Sequence, residues 1–206
     1  MCCWKLGLWT VVRIDPPPPT RRPDPIFHQL ESESQLLRIY KPEPHGQRAT
    51  GFRSVGPIGR FDHHQQSISC GILYAGFSLS CCLVECFGDS GVISVDGRRL
   101  AFLLTRRPLL LLELRANGAM RAGSVAALSS CADRDLSQRW SRHFHATYPQ
   151  ADGLIYRSAH NEESALALYE RAEQALKCVL DLPLNHLSLR GHIIKAALDH
   201  AMIPPA

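Results

Sequence analysis

The sequence lacks the cysteine spacing of a secreted disulfide framework and that of a zinc module. Its 206 residues contain eight cysteines, but these form no CxxC pair and no repeated spacing of the secreted type. We therefore expect reduced thiols in a cytoplasm and no metal site. No cleavable leader is expected, because the apolar start at residues 1–9 is short and has no small-residue cleavage site. A zinc site stays a minor alternative, drawn from His63, His64, Cys70, Cys82 and Cys86.

Long hydrophobic runs and clustered charge are also missing. The most apolar stretch, residues 100–114, is interrupted by the sequence Thr-Arg-Arg-Pro, which leaves two runs of strand length and no membrane span. The 23 Lys and Arg side chains are scattered among 19 Asp and Glu, giving a formal net charge of +4. This pattern predicts neither a membrane partner nor direct nucleic-acid binding. A local basic pocket for a nucleotide phosphate is compatible with it.

Several common catalytic signatures are absent. No Gly-x-Gly-x-x-Gly follows a strand, and no phosphate loop ends in Gly-Lys-Ser or Gly-Lys-Thr. No Gly-x-Ser-x-Gly elbow is present either, so a serine hydrolase of that type is not supported. A functional site must therefore be built from less regular motifs.

Hydrophobic periodicity predicts one α+β domain. Residues 1–34 include a polyproline run at 16–19 and predict an extended lead-in, the domain covers 35–180, and a C-terminal extension that is weakly helical at best covers 181–206. Strands and helices interleave without regular βαβ alternation. Strands are predicted at 36–40, 71–76, 92–95, 100–104, 109–114 and 153–157. Helices are predicted at 78–87, with Ser78 or Ser80 as the N-cap, from Asp133 to about Tyr148, and from an Asn161 cap to about Val179.

Glu85 is the most informative single position. The predicted helix at 78–87 has an apolar face formed by Leu79, Cys82, Leu83, Cys86 and Phe87. Glu85 points away from that face. A carboxylate on a helix that abuts a strand end is well placed to line a cleft, although a solvated surface glutamate is the more common outcome.

Ser158, Arg38 and Arg60 are candidates for binding an anion. Ser158 lies at a predicted strand-to-helix junction, where free N–H groups suit phosphate, but plain capping by Ser158 or Asn161 explains it equally well. Arg38 interrupts a short apolar strand and must find an anion or reach solvent from an edge. Arg60 lies in a glycine-containing loop, where arginines are usually solvated. Residue chemistry alone therefore predicts an α+β domain with an anion-binding cleft.

Read in order, these segments resemble the RES domain family, which takes its name from arginine, glutamate and serine. The resemblance covers about residues 36–172, and the order of its pieces makes it specific. The pieces are Leu37-Arg38-Ile39-Tyr40, Phe52-Arg53-Ser54-Val55-Gly56-Pro57, Gly59-Arg60-Phe61-Asp62-His63-His64, Gly71-Ile72-Leu73-Tyr74-Ala75, Glu85, Asp152-Gly153-Leu154-Ile155-Tyr156-Arg157-Ser158 and Leu166-Ala167-Leu168-Tyr169-Glu170-Arg171.

The resemblance implies a fold like the ADP-ribosyltransferase toxins, with a mixed sheet and flanking helices around a cleft for NAD+. Members of the family are typically toxins of type II toxin–antitoxin pairs; some cleave the nicotinamide–ribose bond with phosphate or water as acceptor, and some transfer ADP-ribose to a protein. NAD+ is then the substrate, inorganic phosphate the co-substrate, and an antitoxin with a helix-turn-helix DNA-binding part the partner. ADP-ribosyl transfer to a protein and a non-catalytic NAD+-binding module are the alternatives.

The resemblance also implies roles for individual residues. Glu85, Arg38 and Ser158 match the catalytic set. Glu85 would stabilise positive charge developing on the ribose, Arg38 would grip the dinucleotide phosphates, and Ser158 would contact the ribose or a phosphate.

Four further residues match supporting positions. Tyr74 would offer an aromatic face to the nicotinamide, and Arg60 a second cation for phosphate. Arg53 competes with Arg38 as the phosphate arginine. Asn161 is the weakest match of the set.

Overall fold

The computed structural model describes residues 12–64 and 70–205 and shows one mixed sheet. Its eight strands lie in the order β1-β5-β6-β7-β3-β2-β4-β8, and β5 and β6 run parallel while the other neighbours are antiparallel. The strands are β1 (Phe27–Leu30), β2 (Gln35–Tyr40), β3 (Ile72–Gly76), β4 (Arg99–Thr105), β5 (Leu109–Glu113), β6 (Gly153–Arg157), β7 (Ser164–Tyr169) and β8 (Leu176–Pro183).

In the described ranges, four α-helices flank this sheet. They are α1 (Leu79–Phe87), α2 (Gly118–Arg121), α3 (Arg134–Thr147) and α4 (Leu187–Asp199), with 3-10 turns at Ala126–Ser130 and Glu170–Ala175. Within the described ranges, none of these helices has the length and apolar character needed to cross a lipid bilayer. The mixed sheet with flanking helices confirms the predicted α+β class.

The core lies on both faces of the sheet, as strand alternation requires. Ala167 and Tyr169 of β7 pack with Trp140 and Phe144 of α3 on one face. Leu166, one position away from Ala167, packs into the core on the opposite face. A further cluster joins α1 and α4 to β2 and β4.

Helices α1 and α3 begin where the sequence predicts. The Ser78 hydroxyl accepts a hydrogen bond from the Cys81 N–H (2.9 Å), and the Asp133 carboxylate accepts one from the Leu136 N–H (3.0 Å). On α1, Glu85 is exposed as predicted. Cys86 is also exposed, although the apolar pattern assigned it to the buried face; a cleft lies on that side of the helix.

The helix predicted from Asn161 to about Val179 is wrong. Residues 158–163 form a turn, and the chain continues as β7, the turn Glu170–Ala175 and β8. Strand β7 lies between β6 and β3 and is buried on both faces, so its alanines and leucines form a continuous apolar run. Such a run has no strand periodicity, and backbone pairing overrides the helix propensity of Ala and Leu.

The two flanking segments contain regular structure. Strand β1 lies within the predicted lead-in and pairs with β5 at one edge of the sheet. Helix α4 has 13 residues, which corrects the expectation of weak helicity at the C-terminus. Its buried side chains, Leu189, Ile193, Ala196 and Ala197, pack in the cluster that contains α1. Residues 92–95, predicted as a strand, instead make an isolated bridge from Val92 to Ile203.

Candidate active site

The sheet divides between β2 and β3, and this division creates a cleft. In the described residues these two strands are paired at one position, Leu37 with Gly76. Beyond this position β2 pairs with β4, while β3 pairs with β7. The Cys82 thiol of α1 donates to the Leu37 carbonyl (3.1 Å), so the helix lies across the division.

The cleft has a volume of about 500 Å³ and carries an excess of positive charge. Six Lys or Arg side chains line it, against three carboxylates. Its inner end narrows to a recess of about 40 Å³ where Arg38, Tyr74, Glu85 and Tyr156 meet. A phosphate-bearing ligand therefore fits the charge of the cleft.

The Glu85 carboxylate is oriented by a tyrosine. Its Oε2 atom accepts a hydrogen bond from the hydroxyl of Tyr156 on β6 (3.0 Å). Tyr156 is buried, and this burial together with the nearby Glu85 charge raises its pKa well above the ordinary value. The tyrosine is therefore a hydrogen-bond donor at neutral pH. No role for Tyr156 was predicted from the sequence. Strand alternation could have indicated that its side chain is buried, because it lies on the same face of β6 as Leu154.

Asp62 organises the wall opposite α1 and was also missed. Its side chain is fully buried and accepts hydrogen bonds from the main-chain N–H groups of Ile58 (2.6 Å) and Gly59 (2.8 Å). The Tyr74 hydroxyl (2.9 Å) and the Arg53 Nη2 atom (2.8 Å) donate to it as well. These donors offset the cost of burying the carboxylate. Only its place within a family segment singled out Asp62 in the sequence.

Tyr74 offers its ring, because its hydroxyl is already bonded. The hydroxyl donates to Asp62 and accepts the Phe61 N–H (2.9 Å). Burial and the Asp62 charge raise the pKa of Tyr74 well above its usual value. Close packing here requires Gly59, since a Cβ atom at that position would lie 2.6 Å from the Tyr74 hydroxyl oxygen.

Arg38 is buried in the middle of the sheet rather than on an edge strand. Its Nη1 atom donates to the main-chain carbonyls of Ala49 (3.0 Å) and Gly51 (2.7 Å), which holds the loop after β2. Burial lowers the pKa of Arg38 to about 10, so it remains charged at neutral pH. Within the described residues its Nη2 atom makes only a long contact of 3.5 Å with Gln47, which leaves donor capacity for an anion.

Arg53 and Arg60 also line the cleft but differ in their partners. Arg53 forms a salt bridge with the buried Asp62 carboxylate (2.8 Å), so its charge is neutralised. Arg60 donates to the main-chain carbonyl of Cys131, which carries no formal charge. Arg38 and Arg60 therefore keep net positive charge facing the cleft.

Ser158 and Asn161 do not line this cleft. The Ser158 hydroxyl is buried and accepts the N–H of His160 (3.3 Å), and the residue borders a separate cavity of about 560 Å³. The Asn161 side chain bonds to the Glu163 carboxylate (2.6 Å) within the turn. From this part of the chain, Tyr156 and His160 reach the cleft instead. Of the predicted site residues, the structure brings together Arg38, Arg53, Arg60, Tyr74 and Glu85.

The residues of the alternative zinc site with cysteine ligands do not converge in the structure. The Cys82 thiol donates to a main-chain carbonyl instead. Among residues 12–64 and 70–205, the one group of three potential metal ligands contains His63 but no cysteine.

Comparisons with known proteins are consistent with one another. The family model described as the RES domain matches residues 35–189. Probable toxin y4kH of Sinorhizobium fredii (strain NBRC 101917 / NGR234) is 31% identical over 112 residues, which are 54% of this chain and 87% of that protein. The crystal structure of the M. tuberculosis MbcT–MbcA toxin–antitoxin complex contains a chain of similar fold, with a TM-score of 0.56, 16% identity, and coverage of 75% of this chain and 85% of that one.

Proposed function

Because the chain belongs to the RES domain family, we propose that it is a toxin that cleaves the nicotinamide–ribose bond of NAD+. The observation that carries the proposal is the Glu85 carboxylate, held by the Tyr156 hydroxyl at the inner end of a basic cleft. Similarity to a probable toxin and to a chain of a toxin–antitoxin complex supports the biological role.

Cleavage of an N-glycosidic bond requires a group that stabilises positive charge, and Glu85 is suited to this role. As the bond between ribose C1 and the nicotinamide nitrogen breaks, both bonding electrons leave with nicotinamide and positive charge develops on the ribose. A carboxylate fixed beside that carbon stabilises the charge without reorganising during the reaction. An oxygen of phosphate or water then bonds to C1, giving ADP-ribose 1″-phosphate, or ADP-ribose and a proton.

The two phosphates of NAD+ require cations elsewhere in the cleft. Arg38 and Arg60 are better suited than Arg53, because Arg53 is already paired with Asp62 while the other two contact neutral carbonyls. A planar guanidinium can bind two phosphate oxygens at once. We propose that Tyr74 stacks on the nicotinamide ring. Ser158 would act indirectly, by shaping the turn that brings His160 to the cleft.

The direct test is release of nicotinamide from NAD+ by the purified chain, in phosphate buffer and in a phosphate-free buffer. We expect release in phosphate, with ADP-ribose 1″-phosphate identified by mass spectrometry, and ADP-ribose where water is the acceptor. Absence of nicotinamide in both buffers would contradict the proposal. NAD+ binding without release would indicate a non-catalytic module, and a labelled protein band in extract supplied with labelled NAD+ would indicate ADP-ribosyl transfer.

An antitoxin that blocks the cleft is the second part of the proposal. The M. tuberculosis neighbour is a toxin–antitoxin complex, and the resemblance implies an antitoxin with a helix-turn-helix DNA-binding part. Expression of the chain alone should arrest growth, and co-expression of the product of the adjacent gene should restore it. Glu85→Gln serves as the control, since it should permit growth without the second protein.

A further inference from the structure

A second cluster of reactive side chains lies outside the cleft lining. It consists of His63, which directly follows Asp62, His145 in the last turn of α3, and Glu170, the first residue after β7. Their ring nitrogens and carboxylate oxygens all lie within 4.8 Å of one another. Three segments that are distant in sequence therefore converge on one point.

The geometry directs both imidazoles at the same carboxylate. The His63 Nε2 atom is 2.7 Å from Oε2 of Glu170, and the His145 Nε2 atom is 2.8 Å from Oε1. The two rings stack with centroids 4.3 Å apart and planes 26° apart. Tyr169 packs edge-on against both rings and fixes their orientation. Two nitrogens and one carboxylate form a set that binds zinc in proteins.

The charge of Glu170 has no permanent cation as partner in the described part of the chain. Its ion pairs are with the two histidines, and His63 is buried, with only 1% of its side chain exposed. The adjacent Arg171 donates to the main-chain carbonyls of His145, Tyr148 and Pro149 instead.

We propose that His63, His145 and Glu170 bind one divalent transition-metal ion of the zinc class, with water at the fourth position. Imidazole and carboxylate together suit zinc better than calcium or magnesium. In a tetrahedral site the ligand atoms lie about 3.3 Å apart, so the two nitrogen–oxygen contacts must lengthen by roughly half an ångström, and the stacked rings must turn so that both nitrogens face one ion. His145 and Glu170 are 26% and 34% exposed, which gives them room to move and leaves a side open to water.

The bound ion would connect three parts of the fold. His63 continues from the segment that carries Asp62, and Asp62 holds both Arg53 and Tyr74 in the cleft wall. The ion would attach this segment to α3 and to the end of β7. The expected role is therefore structural, and the inference is independent of whether the chain cleaves NAD+.

The test uses the full chain, stripped of metal with a chelator and titrated with Zn²⁺ and with Co²⁺. We expect saturable binding of one equivalent, a rise in melting temperature, and the visible absorption of four-coordinate Co²⁺ without a thiolate charge-transfer band. His145→Gln and Glu170→Gln should each weaken binding by at least about tenfold, since losing even an outer-shell partner costs that much. His143→Gln, on the same helix but outside the cluster, and Cys70→Ser should leave binding unchanged.

Three results would overturn the proposal: no saturable binding, binding that both ligand variants retain, or a thiolate band in the Co²⁺ spectrum of the unmodified chain. The spectrum is decisive even if a variant fails to fold, because it needs no substitution. Circular dichroism of each variant without metal separates lost binding from lost structure.

Discussion

Two cavities of similar size open on this protein, and each contains a residue of the predicted catalytic set. The cleft of about 500 Å³ holds Glu85 and Arg38, and the cavity of about 560 Å³ borders Ser158. In the cleft, unneutralised arginines surround an oriented carboxylate. In the second cavity, Arg115 is paired with Glu113 (2.5 Å), Arg157 donates to the main-chain carbonyl of Glu162, and the serine hydroxyl is buried. Residues that belong to one motif in sequence therefore need not meet in one site.

The largest effect is expected at the reacting centre of the cleft. Glu85→Gln keeps size and can still accept the Tyr156 hydrogen bond, but it removes the charge that would stabilise the ribose cation. We expect nicotinamide release to fall at least about 100-fold, as when an oriented group at a transition state is lost. Release is measured by chromatography, with Glu31→Gln, an exposed glutamate between β1 and β2, as the control. Unchanged release would remove Glu85 from the mechanism.

The next effect concerns the wall of the same cleft. Asp62→Asn leaves Arg53 without its ion-pair partner and puts the amide NH2 group either against the N–H groups of Ile58 and Gly59, which share Oδ2, or against the Tyr74 hydroxyl, which bonds to Oδ1. We expect the free energy of unfolding to fall by about 3 kcal/mol, the cost of breaking a buried ion pair. Urea unfolding measures it. A change below about 1 kcal/mol, typical of an exposed pair, would mean that the buried network contributes little.

A smaller effect is expected from the residue that orients Glu85. Tyr156→Phe removes one hydrogen bond to a carboxylate and keeps the buried ring. We expect a loss of about 1.5 kcal/mol in transition-state stabilisation, or roughly tenfold in kcat, with little change in KM. Steady-state kinetics with NAD+ checks this split. A rise in KM alone would instead indicate a role in binding.

The Glu113–Arg115 pair tests whether the charge of Arg115, which borders the second cavity, is neutralised as described. Burial alone would raise the pKa of Glu113, but hydrogen bonds from Arg115 and its charge outweigh burial and lower it below 4.5. The pair therefore stabilises the fold above about pH 4.5 and loses this effect as the pH falls. Glu113→Gln should cost about 1 kcal/mol at neutral pH and less at low pH. A pH-independent difference in urea unfolding would contradict the ion pair.

The smallest effect is expected at Ser158, which has one weak side-chain contact in the described chain. Ser158→Ala should lower stability by about 1 kcal/mol, the ordinary value of one hydrogen bond, and change nicotinamide release less than about threefold. The same release assay, with circular dichroism as the check on folding, measures it. Loss of release comparable to that of Glu85→Gln would show that the serine enters the cleft during catalysis.

Local patterns predict much of this molecule. Helical phase indicated that Glu85 lies off the apolar face of α1, and Asp133 marked the start of α3. The error at β7 and β8 arose because a strand buried on both faces has no polar alternation to distinguish it from a helix. Helix α4 has no strong amphipathic pattern of its own, and its position depends on packing against α1.

The residues of the candidate site could be predicted only where the local sequence pattern around one residue indicates its position. Glu85 and Tyr156 are 71 positions apart, and their hydrogen bond depends on how β6 and α1 pack. Asp62 carries no local mark of its role, because its donors are two nearby main-chain N–H groups and the side chains of Arg53 and Tyr74, 9 and 12 positions away. Neither kind of contact has a counterpart in sequence periodicity.

The division of the sheet at Leu37 and Gly76 has a mechanical consequence. The strands on either side form two parts of the sheet that are paired at this one position, and Cys82 of α1 bonds to β2 across the division. A ligand bound in the cleft between these two parts would restrict their relative movement. Amide protons of β2 and β3 should therefore exchange more slowly when the cleft is filled, while those of β1 and β5, at the far edge of the sheet, should not change.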